Sequence, residues 1–320
     1  MKLLDRINLK AKTDQNTGFG ANSNNYGGRF INKNGSPNIQ KKGLTFWHRI
    51  SLYHTLIDMP VWKFIIIVLF FYISINFIFA ILYYHIGIEF LEGITATESK
   101  WDQFFKAYFF STQTFTTVGY GHISPKGFLT SALAATEALI GLLSFAIATG
   151  LFFGRFSKPT AFLKFSHNAL ISPYKEITGL MIRMTPYKNT NFTDAEAKIT
   201  LGMSLEENGL MVNKFYTLDL ELNRINGLTL SWTLVHPINE QSPIYGFTKE
   251  DFENIHGELI VNVKTFDDMF STTVASRTSY TFDEIVYGAK FEPMYTRSVD
   301  ESKTILDLDK LNVFEKVNSI

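Results

Sequence analysis

The sequence contains no cysteine, and its charges balance, since 30 Lys and Arg residues stand against 30 Asp and Glu residues. The lack of cysteine excludes disulfide scaffolds, cysteine zinc sites and cysteine nucleophiles, and it suits a reducing compartment. Balanced charge gives no global argument for nucleic-acid binding. No internal repeat, Gly-rich phosphate loop or nucleophile motif occurs, and His167, His236 and His256 lack the spacing of metal ligands. These absences argue against an enzyme and against a resident cofactor or metal.

Phenylalanine is abundant, with 30 of the 320 residues, and apolar residues are concentrated in the first half after a polar start. The length allows two domains. This uneven distribution predicts a membrane-embedded part followed by a soluble part.

Residues 1–44 are polar and show no apolar period, which predicts a flexible arm. No signal peptide is expected, because no apolar run follows the first lysine. By the positive-inside tendency, the basic residues ahead of the first span place the arm in the cytoplasm. These residues are Lys2, Arg6, Lys10, Lys12, Arg29, Lys33, Lys41, Lys42 and Arg49.

An amphipathic helix is predicted over residues 45–60. Phe46, Ile50, Tyr53 and Ile57 are spaced by 4, 3 and 4 residues, which places them on one helical face before Pro60. A helix lying on the inner membrane surface fits this pattern. An ordinary soluble core helix is the alternative.

Two segments are long and apolar enough to cross a membrane. An outer helix over 61–86 contains the charge-free run Phe64–Leu82, and an inner helix is predicted over 128–156. Trp62, Tyr83 and Tyr84 are interpreted as aromatic residues at the membrane interfaces. The segment 101–114 is too short to cross, so we expect a re-entrant pore helix whose negative C-terminal end favours a cation.

The loop 116–121, Thr-Thr-Val-Gly-Tyr-Gly, follows the predicted pore helix. It resembles the selectivity filter of potassium channels, in which four loops replace the hydration shell of the ion. The resemblance implies that carbonyl groups of Thr117, Val118, Gly119 and Tyr120, with the Thr117 hydroxyl, bind K⁺, and that Thr116 and Gly121 support them. A Gly-rich turn after a strand is the alternative, and it fits poorly between two membrane spans.

The inner helix carries one acidic residue, Glu137, which we expect to lie hydrogen-bonded behind the filter because a carboxyl in mid-span is costly. Gly141, Gly150 and Gly154 predict close helix packing, and Gly150 also allows a bend. A stripe at spacings of 3, 4 and 4 is a candidate pore lining, with a hydrophobic gate at its last residue. The alternative is that its phenylalanines pack against lipid or the first span. Its members are Leu142, Phe145, Thr149 and Phe153.

After Pro159 the sequence predicts an all-β, immunoglobulin-like sandwich over 158–320. Turn signals such as Asn226-Gly227 separate short runs rich in β-branched and aromatic residues. The expected strands are Ile177–Thr185, Phe215–Leu222, Leu228–His236, Glu258–Phe266 and Tyr280–Tyr287.

Three motifs of the soluble half resemble the inward-rectifier potassium channels, especially their prokaryotic, KirBac-type branch. They are Phe165–Ala169, Thr233–Ile238 continuing through Ser242–Tyr245, and Ser276–Tyr280. The resemblance covers about residues 46–295, and it implies a homotetramer with four filter loops on one axis. It also places Phe153 at the family's bundle-crossing gate.

The sequence departs from the family pattern at charged positions. Phe145 and Lys264 occupy places where strongly rectifying members carry acids, although Glu206 or Glu207 falls near a second one, so weak rectification is expected. Gln113 and Ile123 stand where eukaryotic members carry a glutamate–arginine pair on either side of the filter. Lys63, Arg155 and Lys158 form a candidate site for anionic lipid, or they serve only the positive-inside tendency.

The sequence therefore predicts a passive potassium channel in the inner membrane of the cell, a multi-pass protein with both termini in the cytoplasm. K⁺ would be the permeant ion rather than a cofactor, and the partners would be three further copies and membrane lipid. A membrane-anchored sensor with a β-sandwich is the alternative. A transporter subunit is discounted, since only one filter-like segment is present, and no arginine-rich helix suggests a voltage sensor.

Overall fold

The structure is a computed structural model, and it describes residues 8, 11–14, 18, 29–43, 45, 51–94, 99–207 and 210–317. The chain divides into two compact units. One consists of Lys42–Lys158, and the other combines the residues up to Lys41 with those from Pro159 onward.

The described part of the first unit is helical. Its interfacial, outer, pore and inner helices are Leu52–Asp58, Val61–Ile86, Lys100–Phe115 and Phe128–Phe156, and a short 3₁₀ turn, Ile88–Phe90, follows the outer helix. The outer and inner helices have 26 and 29 residues and are long and apolar enough to cross a membrane. A hydrocarbon core needs only about 20 residues of helix.

The interfacial helix is shorter than the sequence predicted. The Ser51 side chain accepts a hydrogen bond from the His54 amide at its start, and the helix ends before Met59, whose backbone is extended. A residue that precedes proline disfavours helical dihedral angles, which explains this end. Residues 46–50, half of the predicted apolar face, lie outside the described residues.

Aromatic side chains pack the outer helix against the pore helix. The rings meet edge to face with centroids 5.1 to 5.9 Å apart, in the pairs Tyr72–Phe115, Phe77–Phe104 and Tyr83–Phe110. Two short strands, β1 (Leu91–Glu92) and β2 (Ser124–Pro125), pair antiparallel and join the loops on either side of the pore helix. The pore helix is thereby held along its length and at both ends.

The second unit is built of strands. They are β3 (Leu163–Phe165), β4 (Ala169–Tyr174), β5 (Ile177–Pro186), β6 (Phe192–Glu207), β7 (Leu210–Leu218), β8 (Arg224–Leu228), β9 (Trp232–Ile238), β10 (Gly257–Asp267), β11 (Thr272–Thr281), β12 (Ile285–Tyr287), β13 (Ala289–Phe291), β14 (Tyr295–Arg297), β15 (Thr304–Leu306) and β16 (Phe314–Lys316). A short helix, Lys249–Asn254, precedes β10, and 3₁₀ turns occupy Phe282–Glu284 and Leu308–Asn312.

Two five-stranded sheets form the body of this unit. One has the order β11-β10-β6-β7, with β8 also paired to β6, and the other has the order β12-β4-β5-β3, with β9 also paired to β5. Only the β12–β4 pair in these sheets is parallel. The buried faces share one core, in which Leu180, Ile182 and Leu234 of one sheet join Ile199 and Val261 of the other. The pore unit and this β-sandwich confirm the predicted fold class.

Strand β6 lies in the middle of its sheet, and the sequence analysis did not predict it. Its outward residues Asp194, Glu196 and Lys198 are exposed, whereas Ala195 and Ala197 between them are buried. The alternation typical of a strand is therefore present, with small alanines near its start and the buried Ile199, Leu201 and Met203 further along.

Residues 29–32 of the N-terminal arm are buried or half-buried, which the prediction of a flexible arm did not include, whereas residues 36–43 are exposed. Phe30 and Ile31 are buried with Phe215 and Ile260 in a small apolar cluster. The Glu258 carboxylate accepts hydrogen bonds from the amides of Phe30 and Ile31. Residues 29–38 thus belong to the β unit, because Phe30 and Ile31 pack against its apolar side chains. The sequence around these two residues does not predict this contact.

Arg29 and Lys33 of the same segment both pair with Glu284, at 2.8 and 3.1 Å. Burial alone would raise the pKa of Glu284, but the hydrogen bonds from these two cations hold it below its ordinary value. The ion pairs flank the buried Phe30 and Ile31 and add charge complementarity to the apolar contact.

Candidate functional site

The loop that follows the pore helix has an alternating backbone. Thr117, Gly119 and Gly121 have φ angles of 58°, 53° and 76°, whereas Val118 and Tyr120 between them keep negative φ. Such alternation turns successive carbonyl groups to the same side of the chain. A Cβ on either glycine would meet no atom within 4 Å, so these positions need glycine for its dihedral freedom rather than for space.

The last turn of the pore helix holds this loop. The Thr117 amide donates to the Thr114 carbonyl at 3.0 Å, and the Val118 and Gly119 amides donate to the Gln113 carbonyl at 2.9 and 3.3 Å. A positive φ is uncommon for a β-branched residue such as Thr117. The bonds from neighbouring amides to the pore helix stabilise that conformation.

The Thr116 hydroxyl donates to the Thr112 carbonyl at 2.7 Å and extends the same anchorage. Val118 and Tyr120 expose 53% and 78% of their surface in the single chain. Both side chains of the loop are therefore uncovered in the single chain.

Glu137 lies buried between three helices. The Tyr83 hydroxyl of the outer helix donates to one of its carboxyl oxygens at 2.6 Å, and the Ser111 hydroxyl of the pore helix contacts the other. The interpretation of Tyr83 as an interfacial aromatic residue is therefore wrong. Its side chain is fully buried, and its hydroxyl binds Glu137 of the inner helix.

The candidate pore-lining stripe lies on one exposed face of the inner helix. Leu142, Phe145, Thr149 and Phe153 are all exposed in the single chain, and Phe145 and Phe153 each expose 73%. Among the described residues, no other element covers this stripe. It is therefore available to line an axis or to face lipid.

Two of the inner-helix glycines lie at close contacts within the unit. A Cβ at Gly141 would stand 1.9 Å from the Phe115 carbonyl oxygen, and one at Gly154 would stand 3.2 Å from Ile57 of the interfacial helix. Such a Cβ at Gly150 would meet no described atom within 4 Å apart from its chain neighbours and the backbone of its own helix. Close packing therefore accounts for two of the three glycines.

The three candidate lipid-binding bases differ in their surroundings. Arg155 donates to the carbonyls of Leu56, Ile57 and Met59, at the end of the interfacial helix. Its guanidinium also stands 4.8 Å from the centre of the Phe64 ring. Arg155 is therefore engaged within the protein, and its predicted contact with anionic lipid stays a prediction.

Lys158 forms an ion pair with Asp58 of the interfacial helix, and both side chains are more than half exposed. The hydrogen bond and charge of Lys158 hold the pKa of Asp58 below its ordinary value. Lys63 is exposed and lies 5.4 Å from the Trp62 ring centre. Lys63 and Lys158 are exposed, whereas Arg155 is half-buried.

Charged positions of the soluble unit bear on cation block. Lys264 is exposed on β10, next to a bulge between Lys264 and Phe266. The side chains of Glu206 and Glu207 lie outside the described part of the chain. In the pore unit, Gln113 supplies its carbonyl to the loop, and Ile123 packs against an apolar cluster that includes Tyr83.

Two family descriptions match the chain in adjacent regions. Residues 67–158 match the family "Ion channel", and residues 163–320 match "Inward rectifier potassium channel C-terminal domain". The "Inward rectifier potassium channel Kirbac3.1" of Paramagnetospirillum magnetotacticum is 33% identical over 286 residues, which make up 89% of this chain and 95% of that protein. This chain belongs to the inward rectifier potassium channel family.

More distant relatives of this inward rectifier come from vertebrates. "G protein-activated inward rectifier potassium channel 4" of Mus musculus is 28% identical over 84% of this chain and 68% of its own length. "ATP-sensitive inward rectifier potassium channel 12" of Gallus gallus is 25% identical over 62% of this chain and 49% of its own length. The match covers 95% of the bacterial protein, which supports the assignment of this chain to the prokaryotic branch of the family. The resemblance read from the sequence is thus confirmed, and the family is one of membrane channels rather than enzymes.

Two residues at this site, Ser111 and Asn76, were not predicted from the sequence. Both are uncharged and polar, and neither has any exposed surface. In the sequence, Asn76 within a charge-free span indicates a polar contact between helices, because a polar side chain in such a span needs a hydrogen-bond partner.

Proposed function

We propose that four copies of this chain form a passive, potassium-selective pore. Dehydrated K⁺ would be coordinated by the carbonyl oxygens of Thr117, Val118, Gly119 and Tyr120 and by the Thr117 hydroxyl, with Thr116, Gly121 and Glu137 in support. The observation that carries the proposal is the alternation of φ signs from Thr117 to Gly121, anchored on the pore helix. One loop supplies only part of a hydration shell, so the site requires four copies around an axis.

The pore lies in the inner membrane of the cell with both chain termini in the cytoplasm. Two apolar helices bring the chain back to the side on which it began, and the bases ahead of the first span favour the cytoplasm.

The gate is a ring of four Phe153 side chains at the end of the stripe that includes Leu142, Phe145 and Thr149. Phe153 exposes 73% of its surface in the single chain, which leaves it available for such a ring. A hydrophobic constriction stops ions by dewetting. Arg155, two residues further on, binds the interfacial helix and would transmit its movement to the gate.

Anionic lipid would act on this gate through Lys63 and Lys158, each base contributing about 1 kcal/mol at an anionic surface. A headgroup that binds Lys158 must compete with Asp58.

Rectification is weak, because Phe145 and Lys264 offer no negative charge to hold a blocking polyamine or Mg²⁺. Phe145→Asp should increase block of outward current by cytoplasmic spermine. Unchanged current–voltage curves would contradict the assignment of Phe145 to the pore.

The test of function is uptake of ⁸⁶Rb⁺ into liposomes that contain the purified tetramer and are loaded with K⁺. Uptake that barium blocks and excess external Na⁺ leaves unchanged is the expected result. Suppression by Na⁺ as strong as that by K⁺ would contradict the filter assignment. Liposomes with and without anionic lipid separate a closed gate from a protein that does not conduct.

A further inference from the structure

The side chain of Ser111 in the pore helix contacts both membrane-spanning helices. This serine lies one turn before Phe115 and two residues before Gln113, whose carbonyl holds the filter amides. Its hydroxyl has no exposed surface. Any shift of Ser111 would therefore move the support of the filter.

Several oxygens surround the Ser111 hydroxyl. Asn76 of the outer helix presents its side-chain oxygen at 3.0 Å and its backbone carbonyl at 3.2 Å. The Glu137 carboxyl of the inner helix lies within hydrogen-bond distance on the same hydroxyl. The Asn76 amide nitrogen donates to the Tyr72 carbonyl at 2.7 Å, which fixes the amide so that its oxygen points to Ser111.

The cluster has too few hydrogen-bond donors for its oxygens if Glu137 is ionised. A serine hydroxyl donates one hydrogen bond, yet Asn76 offers only oxygens to it and an ionised Glu137 would do the same. Tyr83 already donates the one further hydroxyl proton to the other Glu137 oxygen. A carboxylic acid at Glu137 resolves the shortage, because its O–H donates to Ser111 while Ser111 donates to Asn76.

We propose that Ser111, Glu137, Asn76 and Tyr83 form an electrically neutral hydrogen-bond network that positions the filter from behind, with Glu137 as a proton donor to Ser111. This inference rests on the proposed function, since it assigns the residues that position the proposed filter. Ser111 and Glu137 act as positioning residues and do not touch the ion.

The packing around the network agrees with this role. The Tyr83 ring contacts Phe110 of the pore helix with centroids 5.1 Å apart, which directs its hydroxyl to Glu137. One turn beyond Glu137, Gly141 brings the inner helix against the Phe115 carbonyl. The same inner-helix face therefore contacts the pore helix at two successive turns, and the polar network lies at the first of them.

The test compares substitutions that keep or remove the proposed hydrogen bonds. Glu137→Gln retains one donor and one acceptor at the same place, so it should keep the selectivity for K⁺ over Na⁺ within about twofold of the unmodified protein. Glu137→Ala, Ser111→Ala and Tyr83→Phe each leave buried partners unsatisfied. We expect each to reduce selectivity roughly tenfold, as for one lost buried hydrogen bond.

Selectivity is read from ⁸⁶Rb⁺ uptake in competition with K⁺ or Na⁺, in full-length protein shown to be tetrameric by size exclusion. Ser131→Ala, at an exposed serine of the inner helix, is the matched control. If Ser111→Ala does not assemble, Glu137→Gln and Tyr83→Phe decide the question. The predicted pattern is preserved selectivity in the first and reduced selectivity in the second.

The outcomes separate the two proposals. An unmodified tetramer that does not select K⁺ would overturn the proposed function itself. A selective unmodified tetramer whose Tyr83→Phe and Ser111→Ala variants remain equally selective would overturn the positioning role alone. A loss of K⁺ selectivity in Glu137→Gln as large as that in Glu137→Ala would show that a carboxylate is needed. This result would contradict the neutral network.

Discussion

Single residues in this protein have partners that their sequence neighbours do not reveal. Arg155 lies in the last turn of the inner helix, and its position in the sequence predicts a lipid-binding base. In the structure, three backbone carbonyls of the chain accept its hydrogen bonds. A guanidinium presents several donors in a fixed plane, which suits a helix end whose carbonyls lack partners. The role of Arg155 is therefore to attach the interfacial helix to the inner helix.

Substitution Arg155→Lys should loosen that attachment, because an ammonium group cannot match the planar donors. Hydrogen bonds to charged groups contribute about 1.5–3 kcal/mol, so amide exchange at Leu56–Met59 should accelerate by roughly tenfold or more. Hydrogen–deuterium exchange of the full-length tetramer measures this. Lys63→Gln is the control, since within the described part of the chain the Lys63 ammonium group contacts the neighbouring Trp62 ring and pairs with no acidic residue. Equal exchange in all three proteins would refute the attachment.

Phe153 supports a second prediction at the scale of one residue. Truncation to alanine removes the four rings of the proposed constriction, so Phe153→Ala should raise the initial rate of ⁸⁶Rb⁺ uptake several-fold while barium block persists. Leu139→Ala, at an exposed inner-helix position outside the stripe, is the matched control. An unchanged uptake rate in Phe153→Ala would require the gate to lie elsewhere, for example near Phe266.

At the scale of elements, the pore helix depends on close approach of the inner helix. Gly141 faces the Phe115 carbonyl, where a methyl group would have to displace backbone atoms. Overpacking of this kind costs about 1–3 kcal/mol, and backbone cannot move away as a flexible side chain can. The filter conformation and the packing of the inner helix are therefore linked through the end of the pore helix.

Gly141→Ala should lower the thermal stability of the detergent-solubilised tetramer, while Gly150→Ala should leave it equal or raise it. In a helix interior alanine is favoured over glycine by about 1 kcal/mol, and no described atom of the chain lies close to Gly150. Fluorescence-detected size exclusion after heating distinguishes the two. Equal loss of stability in both variants would contradict the packing role of Gly141.

The elements also show what sequence reasoning can reach. The spans and the loop after the pore helix stand out because charge-free runs, Pro60 and the glycines mark them directly. Strand β6 could have been predicted from Ile199, Leu201 and Met203, which alternate with other residues. Its start gives a weak apolar signal, because Ala195 and Ala197 are small and stand between charged neighbours. The positions of Tyr83 and Ser111 were missed because each depends on a helix distant in sequence. Side-chain pairing across helices is a tertiary property that no local pattern encodes.

At the scale of the whole molecule, the N-terminal arm connects the β unit to the start of the membrane unit along the chain. Phe30 is 7% exposed and packs on Phe215 with ring centroids 5.1 Å apart. Arg29 and Lys33 pair with Glu284 beside it. The arm segment is thus a structural part of the β unit, and the chain runs from it to the interfacial helix within a short distance in sequence.

Phe30→Ala should release this segment, because truncation of a buried phenylalanine costs about 3–5 kcal/mol. Limited trypsin digestion of the full-length tetramer should then cleave faster after Arg29 and Lys33. Ile39→Ala, at an exposed position nearby, is the control. Cleavage at the same rate in all three proteins would show that the arm does not depend on the Phe30 contact.

The central claim, a filter that selects K⁺ through backbone carbonyls, is tested most directly by the reversal potential under bi-ionic conditions. Purified tetramers in a planar bilayer would face K⁺ on one side and an equal concentration of Na⁺ on the other. We predict a barium-sensitive current whose reversal potential is displaced from zero in the direction expected for a K⁺-selective pore. The displacement is roughly 60 mV for each tenfold preference for K⁺ over Na⁺. A barium-sensitive current that reverses near zero would contradict the account.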